Sequence, residues 1–263
     1  ICGPAAVAAL FAVRPDAVLR LFYLASRRQE AGPFCKLMAQ ARRPYREVPP
    51  DELARIAATE HHGGLVAVAT PREVPELGPP FPAALLGARV LPVLDGIGNP
   101  HNLGAIARSA AFFGCAGLLL SGDPRGAGLS DAAYRTAEGG VEFVNLWMVT
   151  DLVLFMDRYA AGMVFVAADH RASLDLRQIP AKLAALGVDG PAEGANGGAK
   201  PGEVLPGRPG TKAVAMVMGN EETGLSLEVR KRCQLAARIN GSGHLDSLNV
   251  AQAAAIFMFA LAK

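Results

Sequence analysis

Residues 219–226 read GNEETGLS. Gly219, four intervening residues, Gly224 and Ser226 reproduce the spacing of a phosphate-cradling loop, but Leu225 stands where such a loop carries its lysine. Glu221 and Glu222 would bring negative charge beside any bound phosphate. At ~4 Å that repulsion costs on the order of 1–4 kcal/mol near a protein surface. The segment therefore reads as a glycine-rich loop built for something other than a polyphosphate.

Two more segments place polar residues against apolar runs. In LDGIGNPHNLGAIARSAAFFG, Asn102 precedes a helical pattern whose apolar stripe is Leu103, Ile106, Ala110 and Phe113, with Gly114 as the terminating glycine. Arg108 lies about 140° around from Leu103, off the buried stripe. In INGSGHLDSLNVAQAAAI a strand ends at Ile239, and Ser247, Leu248 and Asn249 open the final helix. Taken singly, these residues read as a capping asparagine, a solvated arginine and a capping serine. All three segments sit at the C-terminal ends of predicted strands, where open α/β sheets bind ligands. No metal is expected: His61 and His62 are adjacent, the wrong spacing for two ligands on one helical face.

The elements that must hold these segments follow from periodicity. Val18–Ala25 (VLRLFYLA) reads as a buried strand, PPDELARIAA as a helix capped by Asp51, and LVAVA as a second buried strand. Together they form a small α/β unit. Five prolines between Pro71 and Pro82 predict a stiff, extended linker. From about Val90 strand and helix alternate: VLPVLD, a helix to Phe113, GLLLS, a helix over 151–161, MVFVAAD, AVAMVMG and a long C-terminal helix. That alternation predicts a largely parallel sheet covered on both faces. Residues 187–210, rich in glycine and proline, read as a mobile insertion. The domains expected are thus 1–77, a linker over 78–89, and 90–263.

A chain of 263 residues that is 51% hydrophobic describes a soluble globular protein with ample core. Its four cysteines (Cys2, Cys35, Cys115, Cys233) are widely spaced, so a reduced, cytoplasmic setting is expected. The chain begins at Ile1 rather than methionine, so a preceding segment is expected. Residues 1–46 hold eight arginines and lysines against Asp16 and Glu30, a local +6 that suits a polyanion such as RNA.

Together the polar segments resemble the SpoU/TrmH ribose 2′-O-methyltransferases of the knotted SPOUT class. The family pattern N-x-G-x-x-x-R-[ST]-A is matched by Asn102, Gly104, Arg108, Ser109 and Ala110. G-x-E-x-x-G-L is matched by Gly219, Glu221, Gly224 and Leu225, and S-L-N-V by Ser247, Leu248, Asn249 and Val250. The resemblance covers residues 90–262. ICGPAAVAAL and HHGGLVAVA resemble the family's RNA-binding substrate domain, and YRTAEGG (134–140) is similar to a bacterial subgroup.

The resemblance implies a trefoil-knotted domain with a parallel sheet and helices on both faces, preceded by a small α/β RNA-binding domain. It implies S-adenosylmethionine as cofactor, held by main chain at Gly219, Ile239 and Leu248. It implies ribosomal or transfer RNA as substrate, a homodimer whose protomers together build each site, and Arg108 as the main catalytic residue. Asn102, Glu221, Ser247 and Asn249 would position Arg108 and the substrate. A sulfonium cation tolerates the carboxylates that a triphosphate would not. Asn240 and Gly241 depart from the family's Pro-Met, Asp246 from a common Glu and Ala251 from a common Ser; main-chain contacts do not depend on them. The competing readings are a catalytically quiet RNA-binding relative and a dinucleotide-dependent oxidoreductase. The latter lacks a G-x-G-x-x-G after any strand.

Overall fold

The computed structural model describes residues 1–78, 81–82, 85, 90–115, 117–188 and 212–261. The body of the expected insertion (189–210) and most of the expected linker lie outside the described residues.

The N-terminal unit contains α1 (Pro4–Val13), β1 (Val18–Tyr23), α2 (Arg28–Gln40), β2 (Tyr45–Glu47), α3 (Pro50–Ala57) and β3 (Leu65–Ala69). Its three strands run in the order β2-β1-β3, with β1 parallel to β2 and antiparallel to β3. β1 is not the fully buried strand expected: only Val18 and Leu21 are buried, the Leu19 and Arg20 side chains being exposed. The run of apolar letters conceals a one-sided strand covered by Val7, Leu10, Phe11 and Met38. Asp51 does not cap α3, which starts one residue earlier behind Pro49; Asp51 instead supplies negative charge to the first turn. The helix α2 escaped sequence reading because Gly32 and Pro33 interrupt it.

The larger unit comprises β4 (Leu91–Asp95), α4 (Pro100–Phe112), β5 (Leu118–Ser121), α5 (Asp131–Ala137), α6 (Gly140–Phe143), β6 (Leu146–Val149), α7 (Leu152–Tyr159) and β7 (Met163–Ala168). It continues with β8 (Leu174–Asp175), α8 (Ile179–Ala185), β9 (Ala213–Gly219), α9 (Leu227–Arg232), β10 (Leu235–Arg238) and α10 (Val250–Leu261). The seven strands lie in the order β6-β5-β4-β9-β7-β10-β8, and each pairing is parallel. Central β9 shows why both faces are apolar. Val214, Met216 and Met218 face α4 and α10 beside Ile106, Phe257 and Met258. Ala213, Ala215 and Val217 face α7 and α9 beside Phe155, Met156 and Val229. Near the end of α10, Phe257 and Met258 are core residues, 2% and 0% exposed, whereas Phe259, at 51%, faces outward.

The proline-rich stretch starts as docked chain rather than free linker. Leu77 N–H donates to the Met148 carbonyl (2.8 Å) and Met148 N–H to Pro75 (2.9 Å), which extends the sheet beyond β6. Phe81 packs on Tyr159, ring centroids 4.4 Å apart. The two units also meet through Glu142 of α6, whose side chain is 1% exposed. Arg14 donates to it through Nε (2.7 Å) and Nη2 (2.8 Å), and Arg72 stands 3.9 Å away. Arg72 itself donates to the Val141 and Val144 carbonyls. A buried carboxylate is tolerable only with such partners, and here they come from the other unit.

Candidate active site

β4 and β9 are neighbours, so their C-terminal ends deliver two loops to the same edge of the sheet. After β9 the chain folds back tightly. Asn220 and Gly224 exchange both main-chain hydrogen bonds (3.1 and 2.9 Å), and the Asn220 side chain accepts from the Glu222 and Thr223 amides. Gly219 is required by this packing: a Cβ there would lie 2.3 Å from the main chain of Gly224 and Leu225. The Asn220 amide donates to the Gly96 carbonyl (2.8 Å), and buried Asp95 accepts from Ser226 N–H (3.1 Å). Neither Asn220 nor Asp95 stood out in the sequence, although Asp95 ends β4 and Asn220 directly follows β9, the two strands that carry the site loops.

Glu221 is the hub. One carboxylate oxygen accepts from Gly98 N–H (3.0 Å); the other accepts from Asn99 N–H (3.2 Å) and from the Asn102 side-chain amide (2.8 Å). With its NH2 committed to a carboxylate, Asn102 must turn its carbonyl outward, where it accepts from the Asn249 amide at 3.0 Å. Asn249 in turn accepts from Ala251 N–H (2.9 Å) and so caps α10. Burial would raise the Glu221 pKa, but the bonds from Asn102, Gly98 and Asn99 outweigh it and hold the carboxyl below the ordinary glutamate value. One directed chain thus joins residues 221, 102 and 249.

Two capping assignments shift. Asn99, not Asn102, caps α4, accepting from His101 N–H (2.8 Å) ahead of Pro100 at the first helical position. Asn102 sits inside the first turn, buried, and is thereby free to serve the Glu221 chain. Asn249, not Ser247, caps α10; Ser247 and Leu248 stand exposed on the preceding loop. Gly104 lets α5 lie against α4, since a Cβ there would sit 2.4 Å from the Ala133 carbonyl oxygen.

Ile239 lies at the end of β10, partly buried against the core, and Gly219 is likewise partly buried. From Asn240 to Leu248 the described main chain makes no backbone–backbone hydrogen bond. His244 N–H reaches the Ser242 hydroxyl (3.5 Å), and the other amides and carbonyls of this segment make no main-chain pair, a set that suits hydrogen bonding to an adenine, while the Glu221 and Glu222 carboxylates suit a sulfonium. A separate cavity of about 130 Å³ is lined by Leu94, Ile97, Leu103, Leu120 and Met148, without Gly219, Ile239 or Leu248.

Arg108 does not join the chain. Six residues beyond Asn102, it is displaced roughly 9 Å along α4 and about 240° around it. Its guanidinium pairs with Glu138 at 3.0 Å, both side chains 55% exposed. Of the predicted site residues, the chain therefore brings together Asn102, Glu221 and Asn249, and leaves Arg108 on a different face. Among the described residues no group of three or more His, Cys, Asp or Glu side chains could hold a metal ion, and no helix is long and apolar enough to cross a membrane.

Known proteins resemble this chain over both of its units. The pattern described as RNA 2′-O ribose methyltransferase substrate binding matches residues 1–75. The chain is 28% identical over 263 residues to the Escherichia coli O157:H7 protein named uncharacterized tRNA/rRNA methyltransferase YfiF, covering 98% of this chain but only 66% of that protein. It is also 28% identical to the 23S rRNA (guanosine-2′-O-)-methyltransferase RlmB of Bordetella pertussis, covering 98% and 94% of the two chains. The SpoU methyltransferase AviRb of Streptomyces viridochromogenes, solved in complex with the cofactor AdoMet, shares the fold. It gives a TM-score of 0.67 at 22% identity over 100% of this chain and 88% of that one. The SpoU rRNA Methylase family pattern matches residues 89–259, and the chain belongs to that family.

Proposed function

We propose that this protein transfers a methyl group from S-adenosylmethionine to a ribose 2′-hydroxyl of ribosomal or transfer RNA. The observation that carries the reading is the Glu221–Asn102–Asn249 hydrogen-bond chain, which ties three segments far apart in sequence into one site. Main chain at Gly219, Ile239 and Leu248 holds the cofactor, which supplies an electrophilic methyl group on a sulfonium sulfur. The knotted path implied by the family is part of this reading. Asn102, Glu221 and Asn249 fix the loops around the transferred methyl, and Ser247, exposed beside them, contacts the RNA. The 2′-oxygen takes the methyl as the sulfur–methyl bond breaks, S-adenosylhomocysteine leaves and the hydroxyl proton passes to solvent water; Arg108, permanently protonated, stabilises the negative charge growing on that oxygen. The guanosine 2′-O activity named for the Bordetella relative supports ribose as acceptor.

The working form is a homodimer in which each site draws on both copies. Arg108 lies off the Asn102 face of its own helix, and α4 and α10 expose the apolar side chains of Phe112 (83%), Phe259 (51%) and Ile256 (39%), with the Phe113 ring between those of Phe112 and Phe259. A dimer by sedimentation at micromolar concentration is expected; a monomer there contradicts it. Residues 1–77 act as the substrate domain, 78–89 as its linker and 90–263 as the catalytic domain. An RNA substrate and four unbridged cysteines fit a cytoplasmic location. The direct test offers labelled S-adenosylmethionine and total RNA: label recovered as 2′-O-methylated nucleosides supports the reaction. RNA binding without transfer would mark the chain as a quiet RNA-binding relative.

A further inference from the structure

Glu138 breaks two local rules at once. It follows α5 in the left-handed region (φ 44°, ψ 43°), a conformation that costs a residue with a side chain, directly ahead of Gly139, which has a positive φ (93°) at no such cost. It also sets a negative charge at the C-terminal end of a helix, where the dipole disfavours one. Local rules are broken where a site requires it. The side chain placed there pairs with the Arg108 guanidinium at 3.0 Å.

The surrounding turn is held on both sides. A Cβ on Gly139 would lie 2.6 Å from Ala9 of α1, and a Cβ on Gly140 would lie 2.6 Å from the Arg108 Cα. The N-terminal unit thus rests on the turn that carries Glu138, and the turn rests on the helix that carries Arg108. Arg108 has four flexible side-chain torsions, so an exposed guanidinium needs a fixed anion to define its direction.

We propose that Glu138 is a positioning residue for Arg108, aiming its guanidinium so that it meets the ribose oxygen already ordered. The inference rests on the reaction proposed above. Two variants separate charge from backbone: Glu138→Gln removes the carboxylate and keeps the strained turn, whereas Glu138→Gly removes both. On unmodified, in vitro transcribed rRNA and tRNA, each is expected to lower kcat about tenfold while KM for RNA changes less than threefold. Neither variant should lower kcat further in an Arg108→Ala background. The melting temperature of Glu138→Gly should hold to within roughly 2 °C of wild type or rise, because strain is relieved. Nuclear magnetic relaxation of the Arg108 Nε–H should report an ordered side chain in the wild type and a disordered one in both variants.

An unchanged kcat with active wild-type enzyme, the same loss without Arg108, or an Arg108 side chain equally ordered without Glu138 would each overturn the proposal. A wild-type protein that transfers no methyl group to either RNA refutes the reaction itself, and this inference with it.

Discussion

Replacing Glu221 by glutamine changes one oxygen to an amide nitrogen and leaves the volume alone, so its consequences can be worked from the three donors on the carboxylate. Gly98 N–H lies 3.0 Å from one oxygen; Asn99 N–H and the Asn102 amide lie 3.2 and 2.8 Å from the other. A glutamine offers one acceptor, so whichever way it turns, at least one donor meets an NH2 group. A hydrogen bond to a charged group is worth about 1.5–3 kcal/mol net, and charge-assisted bonds are roughly twice as strong as neutral ones. One bond lost and two weakened, at a partly solvated site, amounts to about 2–3 kcal/mol. Because the chain continues to Asn249, the loss falls on the loops that would hold the cofactor. Calorimetry should show the Kd for S-adenosylmethionine rising about 10–100-fold, and the melting temperature should fall by roughly 4–10 °C. The pH dependence has a defined sign. The folded carboxyl titrates below its unfolded value of about 4.3, so its contribution is complete above that pH and is lost as pH falls through the lower, folded value. The melting difference between wild type and variant should be constant from about pH 6 to 8 and shrink in acid. A variant with wild-type Kd and melting temperature would refute the view of Glu221 as the hub.

Glu142→Ala should leave Arg14 and Arg72 without their buried carboxylate and destabilise the protein by about 3–5 kcal/mol; thermal unfolding measures it. Of the eight cations in residues 1–46, Arg14, Arg27, Arg28 and Arg46 are in ion pairs and Arg43 donates to carbonyls of Pro15 and Val18. Replacing the remaining Arg20, Lys36 and Arg42 by alanine should weaken RNA binding and reduce the slope of log affinity against log salt by about 2–3. An unchanged slope would remove the N-terminal unit from the RNA interface.

The fold was legible wherever a strand or helix buries a repeating face. The runs Leu91–Asp95 (LPVLD) and Ala213–Gly219 (AVAMVMG) are almost wholly apolar because the parallel sheet is covered on both sides, and α4 ends at Gly114 as its φ of 65° requires. β1 misled because a one-sided strand can still carry apolar letters on its solvent face. α2 was illegible because tertiary packing of Ala31 and Met38 overrides its glycine and proline. In the site, residue types and spacing pointed to Asn102, Glu221 and Asn249, but not to their joining, which depends on β4 and β9 being neighbours across more than a hundred residues. The basic count of residues 1–46 overstated the free charge, because composition does not reveal which arginines have carboxylate partners. The Arg108–Glu138 pair was hidden for a similar reason: it forms between two helices whose contact rests on Gly104.

The central claim is that Arg108 stabilises charge on a ribose oxygen, and single-turnover methylation of RNA by Arg108→Ala at saturating S-adenosylmethionine tests it most directly. A solvated helix residue would lose only a few tenths of a kcal/mol of helix propensity on this change. A preorganised charge-stabilising donor should cost about 3–4 kcal/mol, or 10²–10³ in rate. That loss is expected with cofactor affinity unchanged; methylation at a near-normal rate would return Arg108 to the solvated surface.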